Sequence, residues 1–194
     1  MSQNDRRFDP HAHRTLTDYT RWERWNPPAL LARLGIRPGQ SVLDLGCGPG
    51  FWTLPLAEIV GPAGKAWALD VSQEMLKALA KRDPPPQVRW LRSELPRIDL
   101  PDASVDWIWS AFVAHEVEPL EGLMAEMRRV LLPAGRIGLL DWRPDAIHAN
   151  GPPRHHRLEP EVVRRALLAR GFRLLPSDWQ DADAYLLLAE METG

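Results

Sequence analysis

A doubly wound α/β fold on a mostly parallel, seven-stranded sheet, with helices on both faces, is what this sequence predicts. Short apolar runs alternate with segments of helical periodicity through most of the 194 residues. The first such run, VLDL (42–45), breaks into Gly46, Gly48 and Gly50, a concentration of backbone freedom that a ligand touching the backbone itself would explain. The last two apolar runs follow each other without an intervening helix, as a closing hairpin with an antiparallel strand would.

The elements follow in order. Residues 1–13 are polar and expected to be loosely packed, and 14 to about 34 read as helix interrupted by Pro27 and Pro28. SVLDLG (41–46) is a buried strand, Trp52–Val60 a helix, and GPAG (61–64) a turn into the strand KAWALD (65–70). Ser72 is placed to cap the next helix, with Glu74 in its first turn and Met75, Leu76 and Leu79 on its inner face. Pro84, Pro85 and Pro86 stop it. VRWLR (88–92) and VDWIWSAF (105–112) are the third and fourth strands. Pro119 opens a helix whose apolar residues, Leu120, Leu123, Met124, Met127, Val130 and Leu131, recur at helical spacing. Pro133-Ala134-Gly135 turns the chain into strand five, RIGLLDW (136–142). A long loop, 143–158, precedes a helix over 160–170 that Gly171 ends, and FRLLPSD and AYLLLAE supply the last two strands.

Composition narrows the function. A net charge of −2 gives no electrostatic case for nucleic acid or a membrane surface. Cys47 is the single cysteine, which excludes an intramolecular disulfide and a cysteine-rich metal site. No apolar stretch is long enough to span a bilayer, and the polar start lacks a signal peptide's apolar core, so a soluble cytoplasmic protein is expected. The length suits one domain.

In an open α/β sheet, ligands bind at the carboxyl ends of the strands. The glycine turn lies at that end of the first strand and Asp70 at that end of the second, where its carboxylate can accept from both hydroxyls of a ribose. A dinucleotide fold would require G-x-G-x-x-G, with a third glycine at 51, but 51 is Phe. The pattern present is D-x-G-x-G-x-G over 44–50.

On that motif, on Asp70, on SELPRIDLPDASVD (93–106) and on EMRRVLLPAGRIGLLDW (126–142), the chain resembles the Rossmann-like S-adenosylmethionine-dependent methyltransferases. It is most similar to the small-molecule branch that contains the ubiquinone/menaquinone biosynthesis enzymes. The resemblance covers roughly residues 40–142. It implies S-adenosyl-L-methionine as cofactor, no metal, and one domain over 1–194, made of a helical cap (1–38) and a core (39–194). It also implies a cofactor-binding set of Asp44, Gly46, Cys47, Gly48 and Gly50 in the turn, Asp70 at the ribose and Val71 at the adenine. Glu94 and Leu95 fall at the adenine edge, where the family usually has Asp. Ser110 and Phe112 fall beside the methionine arm, and Tyr19 and Arg21 of the cap are within reach of its carboxylate. Ala134 stands where the family has the first glycine of its "PGG" turn.

Methyl transfer from a sulfonium needs alignment and a dry site, plus a general base when the acceptor must lose a proton. His115 and Glu116, just beyond strand four, are the candidates for catalysis. The pair begins like H-E-x-x-H, but position 119 is Pro, so the zinc motif fails. Trp142 at the end of strand five, and His155 and His156 in the long loop between Arg154 and Arg157, are candidates for contacts to the acceptor. The expected reaction is methylation of a small molecule. The alternatives are an RNA or protein methyltransferase, which the net negative charge disfavours, and a cofactor-binding protein without turnover.

Overall fold

A computed structural model describes residues 16–146 and 151–192. The polar segment 1–13, the start of the first expected helix (14–15), and part of the long loop (147–150, with Asn150) lie outside the described residues. The chain divides into two compact units, one running up to Glu94 and the other from Leu95 onward. Seven strands are described, in the mixed, mostly parallel arrangement of a Rossmann-like α/β fold.

The first unit opens with two short helices, α1 (Tyr19–Trp25) and α2 (Pro27–Ala32), where the sequence reading placed one interrupted helix. The interruption falls at Asn26, whose backbone is left-handed (φ 40°). Its N–H donates to the Trp22 carbonyl, closing α1, and its side chain accepts from the Ala29 N–H, opening α2. Asparagine is one of the few non-glycine residues that tolerates this conformation and also caps a helix. Strands β1 (Ser41–Leu45), β2 (Lys65–Asp70) and β3 (Val88–Arg92) pair in parallel, in the order β3-β2-β1. Helix α3 (Thr53–Val60) follows the glycine turn, and α4 (Gln73–Ala80) starts on a cap in which Ser72 Oγ accepts from the Met75 N–H. Leu43, Leu45, Leu56, Ala68, Leu69 and Leu79 are wholly buried.

In the second unit, β4 (Val105–Ala111) pairs in parallel with β5 (Leu131–Trp142). Strand β7 (Ala184–Met191) runs antiparallel between β5 and β6 (Phe172–Leu175), giving the order β4-β5-β7-β6. Helices α5 (Leu120–Val130) and α6 (Pro160–Leu168) complete it. Strand β5 starts earlier than position 136. Leu131, read from the sequence as the end of the helix, already pairs with Val105, and the register then jumps to Trp107 opposite Arg136. The Pro133-Ala134-Gly135 turn is therefore a bulge inside the strand, with Ala134 left-handed at φ 59°. Arg129 on α5 fixes the segment ahead of β4: it donates to the carbonyls of Ile98 and Leu100 and to the carboxylates of Asp102 and Glu126, all at 2.7–2.8 Å. Arginine's fan of donors fits such a multi-acceptor clamp better than lysine's single ammonium.

Candidate functional site

The glycine turn sits between the end of β1 and the start of α3, tied at both ends. Asp44 on β1 is buried, and Thr53, the first residue of α3, donates from Oγ1 to its Oδ2 at 2.6 Å. Gly46, Gly48 and Gly50 all have positive φ, and the constraint is sharpest at Gly50. A Cβ there, at φ 86°, would lie 2.4 Å from Leu79 Cδ1. A Cβ on Gly48 would lie 3.6 Å from Leu16, an ordinary packing distance, so at Gly48 the constraint is its positive φ of 53° rather than space.

The N–H groups of residues 46–50 are turned inward. Those of Gly46 and Cys47 both donate to the Leu69 carbonyl, at 2.8 and 2.9 Å, and that of Gly50 donates to the Cys47 carbonyl. The Gly48 N–H donates to Asp70 Oδ2 at 2.8 Å. Position 49 is proline and has none. Over 46–50 the loop's donors are engaged within the protein, unlike the free backbone N–H groups of turns that bind pyrophosphate.

Asp70 accepts from Ser72 N–H on Oδ1 and Gly48 N–H on Oδ2, both at 2.8 Å. An ionised carboxylate has about four acceptor positions and can accept several donors at once. Val71, next to it, is half-buried, and its carbonyl accepts from Arg92 Nε. Glu94 is exposed and Leu95 half-buried, one ending the first unit and the other opening the second.

Asp44 and Cys47 support the loop from within. Burial, less strongly opposed by the Thr53 hydrogen bond, pushes the Asp44 carboxyl from 3.8 to about 7, with the nearby charge of Asp70 adding to the rise. Burial, with Asp70 and Asp44 nearby, pushes the Cys47 thiol well above its ordinary value, which makes it a packing residue rather than a nucleophile. On α1, Arg21 lies over the Phe51 ring at 5.1 Å, and Trp22 meets the same ring edge-on at 5.6 Å. Burial lowers Arg21 to about 10, still a cation at neutral pH. Tyr19 is 72% exposed.

In the second unit the chemistry gathers where β4 and β5 end. Phe112 terminates β4 in the left-handed region (φ 63°), a strained backbone for a bulky residue. The reversal leads into a single 3-10 turn, Ala114–Glu116, that brings His115 onto Asp141 at the end of β5. Asp141 is fully buried and accepts three hydrogen bonds: from the His115 N–H at 3.1 Å, from the Trp142 N–H at 2.8 Å, and from His115 Nδ1 at 2.7 Å. A carboxylate only accepts, so Nδ1 carries the proton and Nε2 is left basic. Glu116 Oε1 is 4.0 Å from that Nε2. Burial works against an imidazolium here. Asp141 outweighs it by charge and hydrogen bond, Glu116 adds to this, and Arg157 opposes, so His115 is held above its ordinary value.

Trp142 is a packing platform. Its ring lies 4.6 Å from that of Phe112, and a Cβ on Gly151 would lie 2.7 Å from its atoms. Arg157 holds the loop segment over 151–157, a strap beside Trp142, by donating to the carbonyls of Pro152 and Arg143, with its guanidinium 5.8 Å from the Trp142 ring. His155 is exposed and His156 buried, their rings 4.2 Å apart. Ser110 is fully buried on β4.

The sequence reading missed two residues here, Thr53 and Asp141. Asp141 had a readable signal: an acid ending an apolar strand, as Asp44 nearly ends β1.

The family profile described as "Methyltransferase domain" matches residues 42–135. A crystal structure of a SAM-dependent methyltransferase from Aquifex aeolicus is 30% identical, with a TM-score of 0.88 over 96% of this chain and 100% of that one. Demethylmenaquinone methyltransferase of Lysinibacillus sphaericus is 33% identical over 57% of this chain and 48% of its own. The ubiquinone/menaquinone biosynthesis C-methyltransferase UbiE of Burkholderia mallei is 29% identical over 82% of this chain and 63% of its own. The chain spans about half the length of the first two curated relatives it matches, 45% and 48%. Among the described residues, no helix is long and apolar enough to cross a membrane. With a relative matched over its full length at 30% identity and the D-x-G-x-G-x-G turn at the end of β1, the chain belongs to the Rossmann-like, class I S-adenosylmethionine-dependent methyltransferases.

Proposed function

We propose that this chain methylates a small-molecule acceptor, with S-adenosylmethionine held by the turn over 46–50 and by Asp70. The proposal rests on the hydrogen bonds of that turn, whose N–H groups over 46–50 donate to Leu69, Cys47 and Asp70, and on the Asp70 carboxylate that bridges Gly48 and Ser72 at the end of β2. When bound, the cofactor supplies an electrophilic methyl on a sulfonium, transferred by direct displacement with S-adenosylhomocysteine as product. Asp44 and Thr53 brace the turn. Val71, Glu94 and Leu95 are assigned to the adenine, Ser110 and Phe112 to the methionine arm, and Arg21 to its carboxylate. Tyr19, largely exposed on the same helix, is assigned with Arg21 to that carboxylate.

His115 is the general base in this reading. Asp141 fixes its tautomer, so that Nε2 takes the acceptor's proton, and Glu116 stabilises the imidazolium that results. Trp142, His155 and His156 belong to the acceptor side, with Trp142 and Arg157 holding the strap in place. The relatives named for quinone biosynthesis support an acceptor of small-molecule size. A cytoplasmic setting fits a chain with one buried cysteine and no disulfide to form.

Calorimetry with S-adenosylmethionine, followed by a screen of small acceptors for S-adenosylhomocysteine release, tests the proposal. Binding with turnover supports it. Binding without turnover on any acceptor favours a non-catalytic cofactor-binding protein, and no binding rejects it.

A further inference from the structure

The second unit holds a polar cluster that the fold alone does not call for. Asp141 on β5 lies directly opposite Tyr185 on β7, and Ser110 on β4 lies opposite Leu139 on β5. Side chains alternate along a strand, and paired residues share a face. Asp141, Tyr185 and Ser110 therefore stand on one face of this four-stranded segment. Tyr185 is the second residue of β7, which runs antiparallel to β5, so it sits at the strand end where His115 meets Asp141.

Two hydroxyls on that face, Tyr185 Oη and Ser110 Oγ, are buried with no hydrogen-bond partner among the described residues. The residues are 7% and 0% exposed. A leucine or phenylalanine, of which the neighbouring strands have many, would avoid the penalty of an unsatisfied buried hydroxyl. We propose that Tyr185 belongs to the acceptor site, its phenol donating a hydrogen bond to an acceptor oxygen that gives its proton to His115 Nε2.

The surroundings make Tyr185 a donor and not a second base. Burial, together with the charges of Asp141 and Glu159, raises its phenol far above the ordinary range, so it keeps its proton at any working pH. His115 and Tyr185 thus offer complementary groups around a common neighbour, Asp141: one takes a proton, and the other donates to the oxygen left negative. The ligand class is an oxygen acid, a hydroxyl acidic enough to ionise beside an imidazole. This inference rests on the methyltransferase reading and adds a residue and a chemical class to it.

The test uses the intact protein loaded with S-adenosylhomocysteine and 4-nitrophenol as probe, whose colour reports the state of its hydroxyl. Wild type is expected to bind the probe with a change in its absorbance. Tyr185→Phe is expected to weaken binding about tenfold while leaving S-adenosylhomocysteine affinity within about twofold, and without lowering the melting temperature, since only an unpaired oxygen is removed. The chain has two tyrosines, so ¹³C labelling of the phenol carbon reads the wild type directly. The Tyr185 signal should shift on adding probe and the Tyr19 signal should not. A probe that does not bind the loaded wild type, or binds Tyr185→Phe equally well, or leaves the Tyr185 signal unmoved, overturns the assignment. If the wild type does not take S-adenosylhomocysteine at all, the underlying methyltransferase reading fails instead.

Discussion

Replacing Asp44 with Asn should flatten one component of the protein's stability against pH. Burial is the main cause that lifts the Asp44 carboxyl from 3.8 to about 7. The folded protein therefore keeps a proton that the unfolded chain releases at about pH 4. For a group raised on folding, the contribution is fully present below the unfolded value and is lost as pH rises through the folded one. Each pH unit between the two removes about 1.4 kcal/mol, so roughly 4 kcal/mol goes between about pH 4 and pH 7, with no further loss above that. Asn is nearly isosteric, cannot ionise, and can still accept from Thr53 Oγ1. The assay is urea unfolding of both proteins at several values from pH 4 to 8.5, taking the difference in stability at each pH so that groups common to both cancel. Wild type should lose about 4 kcal/mol relative to Asp44→Asn across the window, then run parallel to it. A difference that stays constant from pH 4 to 8.5 would refute the reasoning and mean that Asp44 titrates as an ordinary surface carboxylate.

Four further outcomes are expected. Asp141→Asn presents an N–H to His115 Nδ1 and leaves the wrong tautomer at Nε2, so methyl transfer to a proton-losing acceptor should fall roughly 10²–10⁴-fold while S-adenosylmethionine affinity, read by calorimetry, holds. Because Asp141 and Glu116 outweigh burial and Arg157 in raising His115, the wild-type rate should climb with pH through a value above that of a free imidazole, as the neutral base forms; a profile flat from pH 6 to 9 would remove His115 from the mechanism. Gly50→Ala places a methyl 2.4 Å from Leu79 Cδ1 at φ 86°, and should lower stability by about 1–3 kcal/mol in thermal unfolding, with partial recovery in the double variant with Leu79→Ala. Ala134→Gly relieves a left-handed alanine and should raise stability by up to about 1 kcal/mol; a loss would mean that Ala134 is not strained there.

The positions and parallel character of the first strands were legible because VLDL, KAWALD and VRWLR are apolar-rich runs punctuated by Gly, Pro and Ser, whereas their order in the sheet was not. Where periodicity met local backbone chemistry, the sequence said less. Asn26 divides the first helix by taking a left-handed conformation that neither Pro27 nor Pro28 announces. Leu131 fits the helical spacing of α5, yet pairing with Val105 claims it for β5 and turns Pro133–Gly135 into a bulge. The cofactor turn was readable because its chemistry is local: glycines at fixed spacing and an acid one strand away. His115 stood out as a histidine past a strand end, but its partner could not be found by spacing. The two are 26 positions apart and meet only because Phe112 reverses the chain and β4 runs beside β5. Tyr185 was hidden in the same way, as an ordinary β residue until the register set it opposite Asp141.

Titrating wild type and Asp70→Ala with S-adenosylhomocysteine, and wild type with NAD, measures the main point most directly. The adenosyl ligand should bind the wild type, weaken at least tenfold when the carboxylate is removed, and leave NAD without measurable heat. Equal affinity in the two proteins, or a preference for NAD, would contradict the assignment of the turn after β1 and Asp70 as the cofactor cradle.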